Sequence, residues 1–291
     1  MMVGSQFNAY ISQFKDNIFS LLEQKEAKLR PVFGVEMAHG ETHFFERLGN
    51  FSASEITGRL ENSTLQDPAH TRRMAAVRRY HASTYLDDLD KFKMLIDPTS
   101  EYSVKLARAH GRNFDDVVIG ALLGNAATGQ AGSGSQAFAN AAADNVIAHG
   151  SAGLTVDKLN QALRVLESHE VDIDRDELVL IVGPLGKEDL YGDTNNRMTS
   201  FDFMKGKPLD GDALSFRGIQ IITSNRIPAD ASADPQAILC TKDSLKVAMA
   251  QDMVVKVAER PDLNFAHQIS TYMMFGAVRM DEDRVVAIVY Q

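Results

Sequence analysis

Residues 32 to 90 most constrain the fold of this chain. They are polar, they carry alternating runs such as Thr42 to Leu48, and Gly40, Gly49 and Gly58 punctuate them. Alternation at period two puts successive side chains on opposite faces of an extended strand. The stretch therefore reads as a strand-rich excursion, a long hairpin with little apolar content. A lone hairpin is only marginally stable in water. This one needs a partner surface, which points to assembly.

The rest of the chain has enough apolar material for a sizeable core. Of 291 residues, 44% are hydrophobic and 24% charged, the balance of a soluble globular protein. That length suits one large domain or two intertwined ones. No apolar run approaches the roughly 18 residues of a membrane helix. The opening MMVGSQFNAYISQF has neither the basic region nor the apolar stretch of a secretory signal. A net charge of −9 argues against wrapping nucleic acid over a broad basic face. The single cysteine, Cys240, lies in the apolar run Ala237-Ile238-Leu239-Cys240. It excludes an intrachain disulfide and reads as a buried, inert thiol.

Periodicity supplies the remaining elements. Phe7, Tyr10, Ile11, Phe14, Ile18, Leu21 and Leu22 mark an amphipathic helix over residues 5 to 28, ended near Pro31. Its apolar face packs on its own core or docks on a neighbouring subunit. A long helix is expected from 98 to 123, with Asp97 as N-cap, Pro98 at its first position and a bend near Gly111. Gly124 ends it. Thr155 caps a further helix that carries Leu159, Ala162, Leu163 and Leu166 on one face. Leu178 to Val182 is a buried strand, and Phe216 to Thr223 a second one. The C-terminal part is β-rich, with strands at Ile238 to Thr241, Leu245 to Ala248, Val254 to Ala258, Ser270 to Val278 and Arg284 to Tyr290. The class is α+β.

Four groupings contain residue types that could carry chemistry. GNAATGQAGSGSQ, Gly124 to Gln136, has the glycine spacing of a phosphate loop. Gln130 and Ala131 stand where the lysine and hydroxyl belong, and a helix precedes it where a strand should. It reads as a flexible connector, with Gly124, Gly129, Gly132 and Gly134 as candidate hinge residues. His39, Glu41 and His43 alternate and would share a strand face, but three residues leave a zinc set incomplete. Asp172, Asp174 and Asp176 start like a calcium loop. Glu177 and Gly183 then stand where glycine and glutamate are required, so a solvated turn is expected. Arg72, Arg73, Arg78 and Arg79 precede the acidic Asp87, Asp88 and Asp90. Opposite charges on nearby segments either pair locally or fix the register between subunits. No nucleophile–base arrangement and no dinucleotide fingerprint is recognisable. No catalytic, cofactor-binding or metal residue is assigned, and no cofactor is expected.

The order of these pieces resembles the major capsid proteins of tailed bacteriophages, in particular a podophage-type branch. The residues that carry the likeness are Arg72-Arg73, Tyr80, Asp87 with Asp90, Ile96-Asp97-Pro98, Gly111-Arg112 followed by Asp115-Asp116, and the Gly-rich stretch. Near the C-terminus Gly276, Ala277 and Arg279 precede an apolar last strand. The likeness spans residues 35 to 290 and rests on several patterns in order rather than on one motif.

The resemblance implies a Hong Kong 97-like capsid fold. Residues 1–34 would be an N-terminal arm and 35–85 an extended E-loop lapping onto a neighbour. Residues 86–149 and 236–291 would form a peripheral domain with a long spine helix, and 150–235 an axial domain. It further implies self-assembly into hexamers and pentamers of an icosahedral head around double-stranded DNA, without sequence-specific binding and without a membrane. A separate scaffolding protein and a portal are the expected partners, a decoration protein an optional one, with assembly in the host cytoplasm. An encapsulin-like compartment shell and a soluble enzyme with an unrecognised site are the alternatives.

Overall fold

The computed structural model describes residues 24, 27–53, 55, 65–86, 99–138, 144–192, 215–216, 218–230 and 232–291. The amphipathic helix read over residues 5 to 28 falls almost wholly outside them, as do Asp87, Asp88, Asp90 and the helix start Asp97-Pro98.

Among the described residues there are three sheets, and a long helix packs between the first two. The first sheet joins β1 (Gly34–Met37), β12 (Leu245–Arg260), β13 (Ala266–Arg279) and β4 (Arg78–Leu86), in that order. The second runs β7 (Val146–Ile147), β14 (Val285–Val289), β11 (Gln236–Thr241), β8 (Leu178–Val182), β10 (Ile219–Thr223), β9 (Ser215–Phe216). The third runs β2 (Thr42–Leu48), β3 (His70–Ala76), β5 (Ala126–Thr128), β6 (Gly134–Gln136). The helices are α1 (Thr99–Leu123), α2 (Val156–Ser168) and α3 (Pro184–Gly192). None of them is long and apolar enough to cross a membrane.

The run LVLIV of β8 is buried at all five positions, because the second sheet is covered on both faces. Leu178, Leu180 and Val182 share a core with Leu159, Leu163 and Leu166 of α2. Val179 and Ile181 face the other way, into a core with Phe114, Val118 and Leu122 of α1. Those three residues recur every four positions and form one helical stripe. Met273 and Phe275 of β13 close the same core from the first sheet. Thr155 caps α2 as expected, its hydroxyl accepting the Lys158 N–H. α1 passes through Gly111 without a break.

Three expectations change. Phe216 to Thr223 is a short hairpin rather than one strand: β9 and β10 are antiparallel and turn through Gly218, whose φ is +80°. Leu245 to Ala248 and Val254 to Ala258 are one strand, β12, continued across irregularities between Met249 and Val254. Of the polar excursion, only β2 and β3 pair as its hairpin, Thr42 opposite Ala76 through Leu48 opposite His70. Its flanks, β1 and β4, belong to the first sheet.

Part of the partner surface lies within the chain. At the hairpin base Phe45 and Ala75 meet Ala126, Ala248 and Val278 in a small core. The small residues let two sheets approach closely. At Gly276 a Cβ would collide with the backbone carbonyl of Ala76, so this crossing admits only glycine. Further out, Leu48, Phe51 and Leu65 are exposed.

Candidate functional site

The base of the hairpin is held by charge. Arg72 and Arg73 are adjacent in β3, so they face opposite sides. Arg72 is partly exposed and pairs with Glu46 directly across the hairpin at 2.6 Å. Arg73 is buried; its Nη2 donates to Glu282 Oε2 at 2.6 Å and its Nε to the Met280 carbonyl at 3.3 Å. Burial lowers the Arg73 pKa and Glu282 pulls it back up; a guanidinium stays charged under either influence.

Glu282 is shared. Its Oε1 accepts from Nε and Nη2 of Arg279, both at 3.3 Å. The Arg279 side chain is fully buried. Its Nη1 donates to the carbonyls of Leu122 at 2.7 Å and Gly124 at 2.6 Å, and its Nη2 to that of Gln136 at 3.2 Å. The last carbonyls of a helix have no intrahelical partner, and here one arginine supplies it. Arg47, from β2, pairs with Asp281 at 3.2 Å. The turn Asp281-Glu282 therefore pins together the hairpin β2–β3, the hairpin β5–β6 and the end of α1.

A cleft of about 840 Å³ beside this joint is lined by Arg47, Arg72, Arg73, Gly129 and Glu282 among others. Each of the three guanidinium groups already has a carboxylate from this chain. The cleft is charge-balanced rather than an anion site. The arrangement fixes the direction in which the hairpin leaves the body; it contains no nucleophile with a base.

The other sequence candidates are placed as follows. Arg78 and Arg79 lie in β4 and are exposed, with the Arg79 guanidinium 4.2 Å from the centre of the Tyr272 ring. Gly124 closes α1, its N–H donating to Gly120 O at 2.9 Å. The stretch read as a flexible connector is instead a small hairpin added to β3, with Arg73 opposite Thr128. Gly129 and Gly132 have φ of +88° and +72° in its turn, and Gly134 opens β6. A Cβ on Gly132 would strike the Met74 side chain. Its strands are paired with each other, Ala126 opposite Gln136, which is not the open nest of amides a phosphate requires. His43 sits against Phe45, ring centres 4.7 Å apart, and 3.9 Å from Glu36. Among the described residues no three or more His, Cys, Asp or Glu side chains gather where they could hold a metal. Asp172 accepts the Asp176 N–H at 2.8 Å in the turn before β8. Cys240 is fully buried, which pushes its thiol up to about 12.

A second fixture joins Gln24, Lys28 and Leu29 to α1. Asp115 is completely buried. It accepts the backbone N–H groups of Lys28 and Leu29 at 3.1 Å each and the Gln24 side-chain amide at 2.5 Å. A carboxylate in that position needs such donors. Leu29, Val32 and Phe33 then bury against α1.

The roles of Arg47, Asp281, Glu282 and Asp115 escape a reading of local spacing. Only the resemblance marked Asp115, Gly276 and Arg279.

The family model described as phage capsid protein matches residues 7–291. No curated protein sequence matches the chain. Its fold is similar to the capsid protein of Cyanophage P-SCSP1u, with a TM-score of 0.70, 16% identity, and 94% of this chain and 91% of that one covered. It is similar to the Cyanophage Pam1 capsid, at 0.69 and 17% over 94% of each chain. It is also similar to a chain of Mycobacterium phage Che8, at 0.66 and 14% over 94% and 97%. These likenesses show a shared Hong Kong 97-like fold, and the match along nearly the whole sequence shows the family: the chain belongs to the phage capsid proteins, structural and non-enzymatic subunits of the head shell.

Proposed function

We propose that this chain assembles into hexamers and pentamers of an icosahedral head, with the β2–β3 hairpin lapping onto the adjacent subunit. The observation that carries this is the hairpin itself. Its base is pinned to its own body through Arg73 and Glu282, while Leu48, Phe51 and Leu65 beyond are 57%, 63% and 93% exposed. Large apolar side chains on a projecting element mark an interaction surface. Hundreds of modest contacts then close the shell by multivalency.

The division of the chain follows that reading. Residues 1–34 are the arm, 35–85 the E-loop region, 86–149 with 236–291 the peripheral domain and 150–235 the axial domain. The core shared by α2, β7, β8 and β10 supports the axial part, to which β11 and β14 add their strands. The exposed Arg72, Arg78 and Arg79 are candidates for contacts with the acidic Asp87, Asp88 and Asp90 of another subunit; Arg73 works within its own. Gly124, Gly129, Gly132 and Gly134, at the end of α1 and in the β5–β6 hairpin, are the candidate hinge through which the two domains adjust. A separate scaffolding protein, a portal and packaged DNA complete the set of partners, with a decoration protein optional, and assembly takes place in the host cytoplasm.

The test replaces Leu48, Phe51 and Leu65 together by glutamate. The variant is expected to melt like the parent and to stay as free subunits by size exclusion and electron microscopy. Normal particles from it would refute the lapping hairpin.

A further inference from the structure

We propose that the outer edge of β12 pairs antiparallel with the same edge of a second copy of this chain, with Val257 opposite Val257. This deepens the capsid reading by naming one contact through which copies meet. β1 covers β12 only from Lys246 to Met249. The chain then turns away, its last bond there running from the Ala38 N–H to Met249 O. From Gln251 to Arg260, β12 continues as the edge of its sheet, with no described strand on its outer side.

The burial of β12 changes at the same point. Leu245 to Met249 are mostly buried, whereas Gln251 to Arg260 are mostly exposed, Val255 at 46% and Val257 at 58%. An edge strand presents unpaired N–H and C=O groups, and proteins blunt such edges with proline, lysine or a cover. The run Val254-Val255-Lys256-Val257-Ala258 has one lysine and no proline. It is regular from Val254 to Arg260, paired throughout with β13, which is a normal strand length.

Symmetry and charge then select both the partner and the register. Two identical edges related by a two-fold axis place one residue opposite its own copy, because paired rows must carry side chains on the same face. A centre on Lys256 sets two ammonium groups opposite each other. A centre on Ala258 sets Lys256 opposite Arg260, and centres on Glu259 or Arg260 oppose like charges directly. Like charges across a pair are destabilising. A centre at Val255 or earlier draws the irregular stretch before Val254 into the ladder. Val257 remains. It puts Lys256 opposite Ala258, Val255 opposite Glu259 and Val254 opposite Arg260, with no like charges facing. Val255 and Val257 share the face of Thr271, which bonds His110 of α1. Two copies would join these valines into one apolar strip on the α1 side.

Single cysteines in the full chain test this, because the native Cys240 is fully buried and silent. Particles or capsomers of Val257→Cys and Val255→Cys are oxidised and run on denaturing gels without reductant. Directly opposite residues sit about 4.5–5.5 Å apart at Cα, within disulfide reach, so Val257→Cys is expected to give a chain dimer. The two copies of position 255 would lie four residues apart along the strand, about 13 Å, so Val255→Cys is expected to stay monomeric. Val257→Lys, at an exposed position, should keep the melting curve and lose particles. A Val257→Cys chain that stays monomeric in normally formed particles overturns the pairing while the capsid reading stands. So does a thiol there that is shielded from maleimide without dimerising, since another segment would then cover the edge. Dimers at 255 in place of 257 overturn the register. Failure of the unmodified chain, co-expressed with its scaffolding protein, to form any particle or capsomer counts instead against the proposed assembly.

Discussion

Glu282 receives two buried guanidinium groups on its two oxygens, and Arg279 joins that carboxylate to the end of α1. Removing one member of a buried charge pair leaves the other uncompensated, at a cost of about 3–5 kcal/mol. Arg279→Met is therefore expected to lower unfolding stability by about that much, read by urea titration, and Arg72→Met, at an exposed pair, by less than about 1 kcal/mol. A second residue gives a pH signature. Burial lowers the pKa of His110, and nearby His81 lowers it further, although the bond to Thr271 opposes both. The folded chain thus favours the neutral ring. Its contribution to stability is full above the ordinary value of 6.5 and is lost as pH falls through the lowered value. His110→Gln keeps a donor for the Thr271 hydroxyl and removes the titration. Melting temperature should fall less steeply below pH 6.5 in that variant than in the parent.

At the scale of elements, Asp115 holds the segment of Lys28 and Leu29 to α1 through two backbone amides. Asp115→Ala is expected to expose the segment before Pro31 to limited proteolysis while the protease-resistant body keeps its size. Equal cleavage of parent and variant would show that Leu29, Val32 and Phe33 suffice to anchor it. Elements whose side chains repeat with one clear period were legible in the sequence: β2 by alternation, the body of α1 and α2 by their stripes, β8 by an unbroken apolar run. β12 was read as two strands because Gln251 and Asp252 interrupt its apolar character, yet backbone pairing continues across them. The Gly-rich stretch concealed a hairpin because pairing with β3 orders residues that have little preference of their own. The joint was illegible for a plainer reason. Arg73 and Glu282 stand 209 positions apart, and no local pattern encodes which buried charge will meet which.

For the molecule as a whole, the proposed division of work is between the body and the β2–β3 hairpin. Two cores lie on opposite faces of the second sheet, one against α2 and the other against α1, and together they make the base. Among the described residues the hairpin is packed at its foot, where Phe45 and Ala75 meet Ala248 and Val278. The polar excursion that first suggested assembly is thus partly explained within one chain, and the proposed lapping contact would account for Leu48, Phe51 and Leu65. A cryo-electron-microscopy reconstruction of particles formed by the purified chain tests this most directly. The expected map is a closed shell of hexamers and pentamers in which Leu48, Phe51 and Leu65 rest on an adjacent subunit. A shell whose hairpins touch only their own chains, or a small discrete oligomer carrying a stoichiometric metal or nucleotide, would contradict it.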